Sequence, residues 1–277
     1  MSWISDKKIQ RLRQAAETPD LTGTNYRLLG RIAHGGMGVV WLAHDQKLDR
    51  RVALKVLDMT GEEEARILAK LEHPGIVPVH DVGRLADGRA YYTMKYIEGQ
   101  SLDRHVSNIA GVPERLRLVL RICDTVAFAH ARGVLHRDLK PANIMVGPFG
   151  EVLVVDWSVA EVAGTPGYMA PEPTRDERTD VYSLGEIIRF LVDGRHLDKP
   201  LRAIVEKAKT EDPAARYENV QALSSDIAAY LDGLPVAAYP ESFLGTAARF
   251  LRRHRLAVIL VLAYAAVRLL IHIFFGA

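Results

Sequence analysis

Residues 136–146 read His-Arg-Asp-Leu-Lys-Pro-Ala-Asn-Ile-Met-Val. The run sets two polar chemistries at a fixed spacing. Asp138 can accept the proton of a substrate hydroxyl, and Asn143 can hold a metal ion on nucleotide phosphates. Candidates for a phosphate-binding cation and for a second metal ligand lie elsewhere in the sequence.

Upstream, Gly35-Gly36-Met37-Gly38 lies between two strand-like stretches. Glycines there let backbone N–H groups approach phosphates closely, although an ordinary hairpin turn has the same composition. No Lys-Ser/Thr follows the last glycine, and a strand rather than a helix comes next, so neither a Walker A loop nor a dinucleotide-binding fingerprint fits. Val52-Ala53-Leu54-Lys55 puts a lysine on an apolar strand. It is either an edge lysine with its ammonium in water or a lysine on the α- and β-phosphates. In the second case a helical glutamate should pin it, with Glu64 chosen over Glu62 and Glu63. Downstream, Asp156 ends the apolar run 152–155 and is placed to bind Mg²⁺, or to serve as a turn residue. Thr165-Pro-Gly-Tyr-Met-Ala-Pro-Glu172, Asp180 and Arg216 follow. Asp180 reads equally well as a helix N-cap, and Glu172 and Arg216 as solvated charges.

The 277 residues are 48% hydrophobic and 25% charged, enough for a substantial core. The net charge of +2 implies no nucleic-acid partner. The lone Cys123 cannot form an internal disulfide and reads as a buried thiol in a reducing compartment. Residues 1–14 lack the apolar core of a signal peptide. Residues 256–275 are nearly all apolar and, as a helix, would cover about 30 Å, one bilayer core. Arg249, Arg252, Arg253, His254 and Arg255 precede them and would stay on the cytoplasmic side. Arg268 and His272 interrupt the run, and a helix packed on the soluble part or lying at the interface is the alternative.

The pattern between divides in two. Residues 27–33, 38–44, 51–57, 76–83 and 90–97 are strand-like, with a helical stretch at 62–71. Helical periodicity dominates afterwards, at 113–132, 181–192, 201–209 and 220–231.

With these motifs in this order, the chain resembles the eukaryotic-like (Hanks-type) serine/threonine protein kinases of bacteria. The resemblance covers residues 26–233 and implies an α+β, two-lobed protein-kinase-like fold. A small β-rich N-lobe would occupy 26–97 and a larger α-rich C-lobe 98–233, with ATP and Mg²⁺ in the cleft between them. The expected divisions outside it are a polar leader at 1–25, a basic juxtamembrane linker at 234–255 and a transmembrane helix at 256–275. Carried over by position, Ile32, Val40 and Ala53 would roof the adenine and Met145 would floor it. Met94 would be the gatekeeper, and Lys95, Tyr96 and Ile97 the hinge. Gly35, Gly36 and Gly38 would cover the phosphates, and Lys55 would hold them, paired with Glu64. Asp138 would be the base, Lys140 the γ-phosphate contact, and Asn143 and Asp156 the metal ligands. Thr165 would bond Asp138 and Lys140 and shape the substrate platform. Glu172 and Arg216 resemble the family's buried ion pair.

The chain departs from the family pattern in places. Ala33 replaces the first loop glycine, and Trp157-Ser158 replaces Phe-Gly. The stretches 55–64, 156–172 and 194–201 are short. Residues 159–164 contain no Ser, Thr or Tyr, and Glu161 either supplies Arg137 with a fixed negative charge or stays in solvent. The expected activity is transfer of the ATP γ-phosphate to Ser/Thr hydroxyls of protein substrates at the cytoplasmic face of a membrane bilayer. The alternative is a membrane-anchored nucleotide-binding pseudokinase scaffold. Homodimer formation is left open.

Overall fold

The computed structural model describes residues 18–35, 38–57, 62–157, 164–173, 176–193, 195, 197–240, 258–260 and 263–268. Five antiparallel strands open the described fold: β1 (Tyr26–Gly35), β2 (Gly38–Asp45), β3 (Arg50–Val56), β4 (Val79–Arg84) and β5 (Ala90–Lys95), in the order β1-β2-β3-β5-β4. Strand alternation divides this sheet into two faces. Val39, Trp41, Ala43, Val52, Leu54, Val56 and Tyr91 pack with Leu21, Tyr26 and Leu85 into a closed cluster. Val40 pairs with Lys55, Ala53 with both Leu42 and Met94, and Lys55 with Tyr92, so the opposite face carries the candidate nucleotide-binding residues. The β2–β3 turn is fixed by the Asp45 carboxylate, which accepts from the backbone N–H groups of Lys47 and Leu48 at 3.1 and 3.2 Å.

Helix α1 (Glu62–Ala69) packs Ala65 and Leu68 into a second, larger core. A small sheet of β6 (Gln100–Ser101), β7 (Ile144–Val146) and β8 (Val152–Val154) follows the crossover. Around it stand α2 (Leu102–His105), α3 (Val112–His130), α4 (Glu177–Val192), α5 (Lys199–Ala208) and α6 (Val220–Leu231). Helix α3 has proline in its first turn, where the missing N–H costs nothing, and buries Leu116, Val119, Ile122, Cys123, Val126 and Ala129 on one stripe. Helix α4 starts at a capping box in which the Asp176 carboxylate accepts from Arg178 N and the Thr179 hydroxyl bonds Asp176 N. The larger core joins Leu68, Tyr92 and Trp157 to the helices, so both lobes share one apolar interior.

Most element ends differ from the sequence reading by a few residues, and two of the differences bear on packing. The strand expected from 76 begins at Val79, because Pro78 has no N–H for the ladder. Ile76 instead makes a parallel bridge with Val154. The packed body also continues past α6: Val236 is buried in the core, and the Asp226 carboxylate accepts from the N–H groups of Ala237 and Ala238 at 2.6 and 2.9 Å and from the Tyr217 hydroxyl at 2.8 Å. Residues 236–238, expected as linker, are therefore held against the C-lobe. Most of 256–275 lies outside the described residues. Residues 258–260 and 263–268 are helical, and among the described residues no helix is long and apolar enough to cross a membrane.

Candidate active site

The run 136–146 forms a loop that delivers Asp138 and then a short 3₁₀ turn at Pro141–Asn143. The Asp138 carboxylate is buried and held on both oxygens. Oδ1 accepts from the Thr165 hydroxyl at 2.7 Å; Oδ2 accepts from Lys140 Nζ at 2.7 Å and Asn143 Nδ2 at 3.2 Å. Lys140 Nζ also donates to Thr165 Oγ1 at 2.7 Å, so the threonine hydroxyl passes one hydrogen bond on while receiving another. A carboxylate has about four acceptor sites. Among the described residues, the three donors named leave one of these sites, on Oδ1, for a hydroxyl proton.

The loop is pinned from beneath by Asp180, in the first turn of α4. Its carboxylate is fully buried and accepts from His136 N at 2.8 Å and Arg137 N at 2.9 Å, and bonds His130 Nε2 at 2.8 Å. Arg137 has φ of +66°, a conformation that costs a non-glycine residue roughly 1 kcal/mol or more. The Asp180 hydrogen bonds on either side of it hold that turn. The helix cap is Asp176, so Asp180 serves the catalytic loop rather than the helix end. Burial opposes the ionised form of Asp180, yet the His130 and His136 interactions hold its carboxyl below the ordinary range.

His136 joins this loop to the next. Its Nε2 bonds Val155 O at 3.0 Å, and Val155 N donates to Asn143 O at 2.9 Å. Asp156 follows with φ of +57° and a carboxylate 38% exposed, its Oδ1 3.7 Å from Lys55 Nζ. The Lys55 side chain is only 1% exposed, so strand parity has resolved it inward, onto the face shared with Val40, Ala53 and Met94. Lys55, Asp138, Asn143 and Asp156 are thus brought together: Asn143 bonds Asp138 by its side chain and Val155 by its backbone, and the next residue meets Lys55.

The other expected residues fall as follows. Gly35 and Gly38 close β1 onto β2; Gly38 has φ of +112°, and a Cβ there would lie 3.1 Å from Val56 O. Gly36 lies outside the described residues, as do Glu161 and the side chain of Glu64 with those of its rivals Glu62 and Glu63. Ala53 is buried, Val40 and Met145 are half-buried, and Ile32 is exposed on β1. Met94 lines a small cavity with Leu68, Val79, Tyr92, Asp156 and Trp157, directly behind the Asp156 turn. Lys95, Tyr96 and Ile97 line a separate cavity of about 410 Å³ with Arg51, Glu98 and Phe149, which does not include Ala53, Met94 or Met145. Glu172 and Arg216 form a bidentate pair with both N–O distances 2.7 Å.

Burial pushes the His136 imidazole below its ordinary value of 6.5, against the opposing pull of Asp180, and burial lowers His73 and His80 as well. Below the unfolded value the unfolded chain binds more protons than the folded one, so stability drops as pH falls. The contribution is complete above 6.5 and lost progressively beneath it. The midpoint of thermal unfolding should be lower at about pH 5.5 than at about pH 7.5, and an equal or higher midpoint would contradict the neutral burial of these rings.

Residues 26–231 match the protein kinase domain family. Serine/threonine-protein kinase PknD of Chlamydia abortus is 33% identical, over 76% of this chain and 31% of that protein. PknD of Chlamydia trachomatis serovar L2b is 34% identical, over 76% of this chain and 32% of its own length. The chain thus spans about a third of the length of these relatives. The crystal structure of the Mycobacterium tuberculosis PknI kinase domain superposes with a TM-score of 0.61 at 25% identity, covering 76% of this chain and 96% of that one. The family match, the two-lobed architecture and the carboxylate held by Thr165, Lys140 and Asn143 agree, and the chain belongs to the protein kinase domain family, among its bacterial Hanks-type members.

Proposed function

We propose that the chain transfers the γ-phosphoryl group of ATP to serine or threonine hydroxyls of protein substrates. One observation carries the reading: the Asp138 carboxylate is held in place by Thr165 and Lys140 while Lys55 and Asp156 meet 3.7 Å apart. Phosphoryl transfer needs positioning and charge neutralisation more than covalent help from the protein. In this reading Lys55 holds the α- and β-phosphates. Asp138 takes the hydroxyl proton as the new O–P bond forms and the bond to ADP breaks. Lys140 offsets charge on the transferring group, and Thr165 keeps both of these side chains in place. Asn143 spends its Nδ2 on Asp138, leaving Oδ1 as a hard oxygen, and with the Asp156 carboxylate it would make up a donor set that suits Mg²⁺. When bound, Mg²⁺ neutralises the phosphate charge. The complete Lys–Asp–Asn–Asp set speaks for the enzyme over the pseudokinase scaffold.

The test is full-length protein with radiolabelled ATP, Mg²⁺ and a serine- and threonine-containing acceptor protein, followed by phosphoamino-acid analysis. Label on serine or threonine is expected. Label on tyrosine alone, or ATP binding without transfer, would overturn the reading.

Activity should not depend on phosphorylation between 159 and 164, where there is no hydroxyl side chain. Phosphatase treatment should leave the rate unchanged. Loss of activity together with loop phosphate found by mass spectrometry would contradict this.

The same proposal places residues 256–275 in a bilayer with the kinase domain on the cytoplasmic side. The apolar run and its arginine flank support it, as do Ile259, Leu260, Tyr264 and Val267, which expose large apolar side chains to solvent. Retention of the full chain in membranes after alkaline extraction, and release of a form ending at 240, are the expected results. Extraction of the full chain would count against the tether.

A further inference from the structure

We propose that Trp157 is a positioning residue whose indole N–H locks the Asp156 turn in its metal-facing shape. Trp157 Nε1 donates to Val154 O at 3.1 Å, so the side chain reaches back three residues and closes a ring around Val155 and Asp156. Asp156, inside that ring, holds the left-handed φ of +57° that a non-glycine residue adopts at a cost. Three contacts converge on the same short segment. The Trp157 side chain is 3% exposed and packed in the larger core. Its ring lies 4.8 Å from that of His136, tilted by 47°. His136 in turn bonds Val155 O at 3.0 Å.

A phenylalanine would supply the apolar packing and the ring contact. It would supply no donor, and Val154 O would lose this bond inside the core. The N–H is therefore the part of the side chain that packing does not explain. Its geometric consequence falls on the next side chain along, because releasing the ring frees the Val155–Asp156 backbone. The Asp156 carboxylate would then spend less of its time 3.7 Å from Lys55. Lys55 itself sits on β3, outside the ring, so its place on the sheet is set independently of the change.

The inference rests on the phosphotransferase reading for the identity of the metal and nucleotide, and its test separates the two. Full-length wild-type protein and Trp157→Phe are titrated calorimetrically with a non-hydrolysable ATP analogue, with and without Mg²⁺. The affinity without Mg²⁺ should match between them. The gain in affinity on adding Mg²⁺ should be about two- to tenfold smaller in Trp157→Phe, the range expected for one hydrogen bond. An undiminished gain would overturn the proposal. In parallel, hydrogen exchange of the ¹⁵N-labelled indoles is followed in wild type, with the Trp157 resonance identified by its loss in Trp157→Phe. A slowly exchanging Trp157 N–H supports the lock, and exchange as fast as that of an exposed indole overturns it. If wild type bound no analogue at all, the phosphotransferase reading would fail, while the indole exchange would still decide the lock.

Discussion

Asp138→Asn should lower phosphoryl transfer by about 10² to 10⁴-fold, the range for removing a positioned general base. The asparagine keeps an oxygen for Thr165 or Lys140 but cannot take up the substrate proton. It also puts an amide nitrogen where one of three donors now points, so the Lys140–Thr165 contact at 2.7 Å is the geometry at risk. ATP affinity should change little, because Lys55 meets Asp156 directly, 3.7 Å away, and not through Asp138. The expected pattern is a collapsed kcat with a nearly unchanged KM for ATP. A kcat within a few-fold of wild type would mean that Asp138 does not act as the base.

The largest expected effect on stability lies away from the chemistry. Arg216 has a fully buried guanidinium and Glu172 is 12% exposed, joined by two bonds of 2.7 Å. The guanidinium also donates to the carbonyls of Thr210 at 2.6 Å, Arg178 at 3.1 Å and Glu211 at 3.0 Å, and lies over the Tyr182 ring. Arg216→Met fills similar volume but takes from the Glu172 carboxylate both guanidinium bonds and from three carbonyls their donor. Breaking one side of a buried pair costs about 3–5 kcal/mol. For a domain of this size that is roughly a 6–20 °C fall in unfolding midpoint. The double variant with Glu172→Gln should recover part of the loss, since the carboxylate charge that faced the guanidinium is then removed as well. A fall of less than about 2 °C in Arg216→Met would show the pair to be solvated. Because Glu172 ends the segment that begins at Thr165, activity should fall along with stability.

These two expectations were legible to different degrees in the sequence. Asp138 and its partners Lys140 and Asn143 lie within a few residues of one another, so local spacing carries the chemistry. Lys55 was legible only to within a choice of two faces, which the pairing of Val40, Ala53 and Tyr92 in the sheet resolves. The Glu172–Arg216 bond spans 44 residues, and as isolated letters both residues read as surface charges. Asp180 shows the limit most clearly. An aspartate near a helix start has the composition of a cap, and only burial beneath Arg137 and His136 turns it into the anchor of the catalytic loop. The Asp226 bonds to Ala237 and Ala238 were invisible for the same reason: backbone N–H groups carry no sequence signal, so the end of the packed body read as linker. Pro78 did carry a signal, its missing N–H, which the apolar pattern around it obscured.

The most direct measurement is a crystal structure of the full chain with Mg²⁺ and a non-hydrolysable ATP analogue. The expected density has Lys55 Nζ on the α- and β-phosphates, metal density at Asn143 and Asp156, the two residues that would hold it, and the terminal phosphate facing Asp138. A nucleotide bound away from these four side chains, or one whose terminal phosphate points away from Asp138, would contradict the assignment.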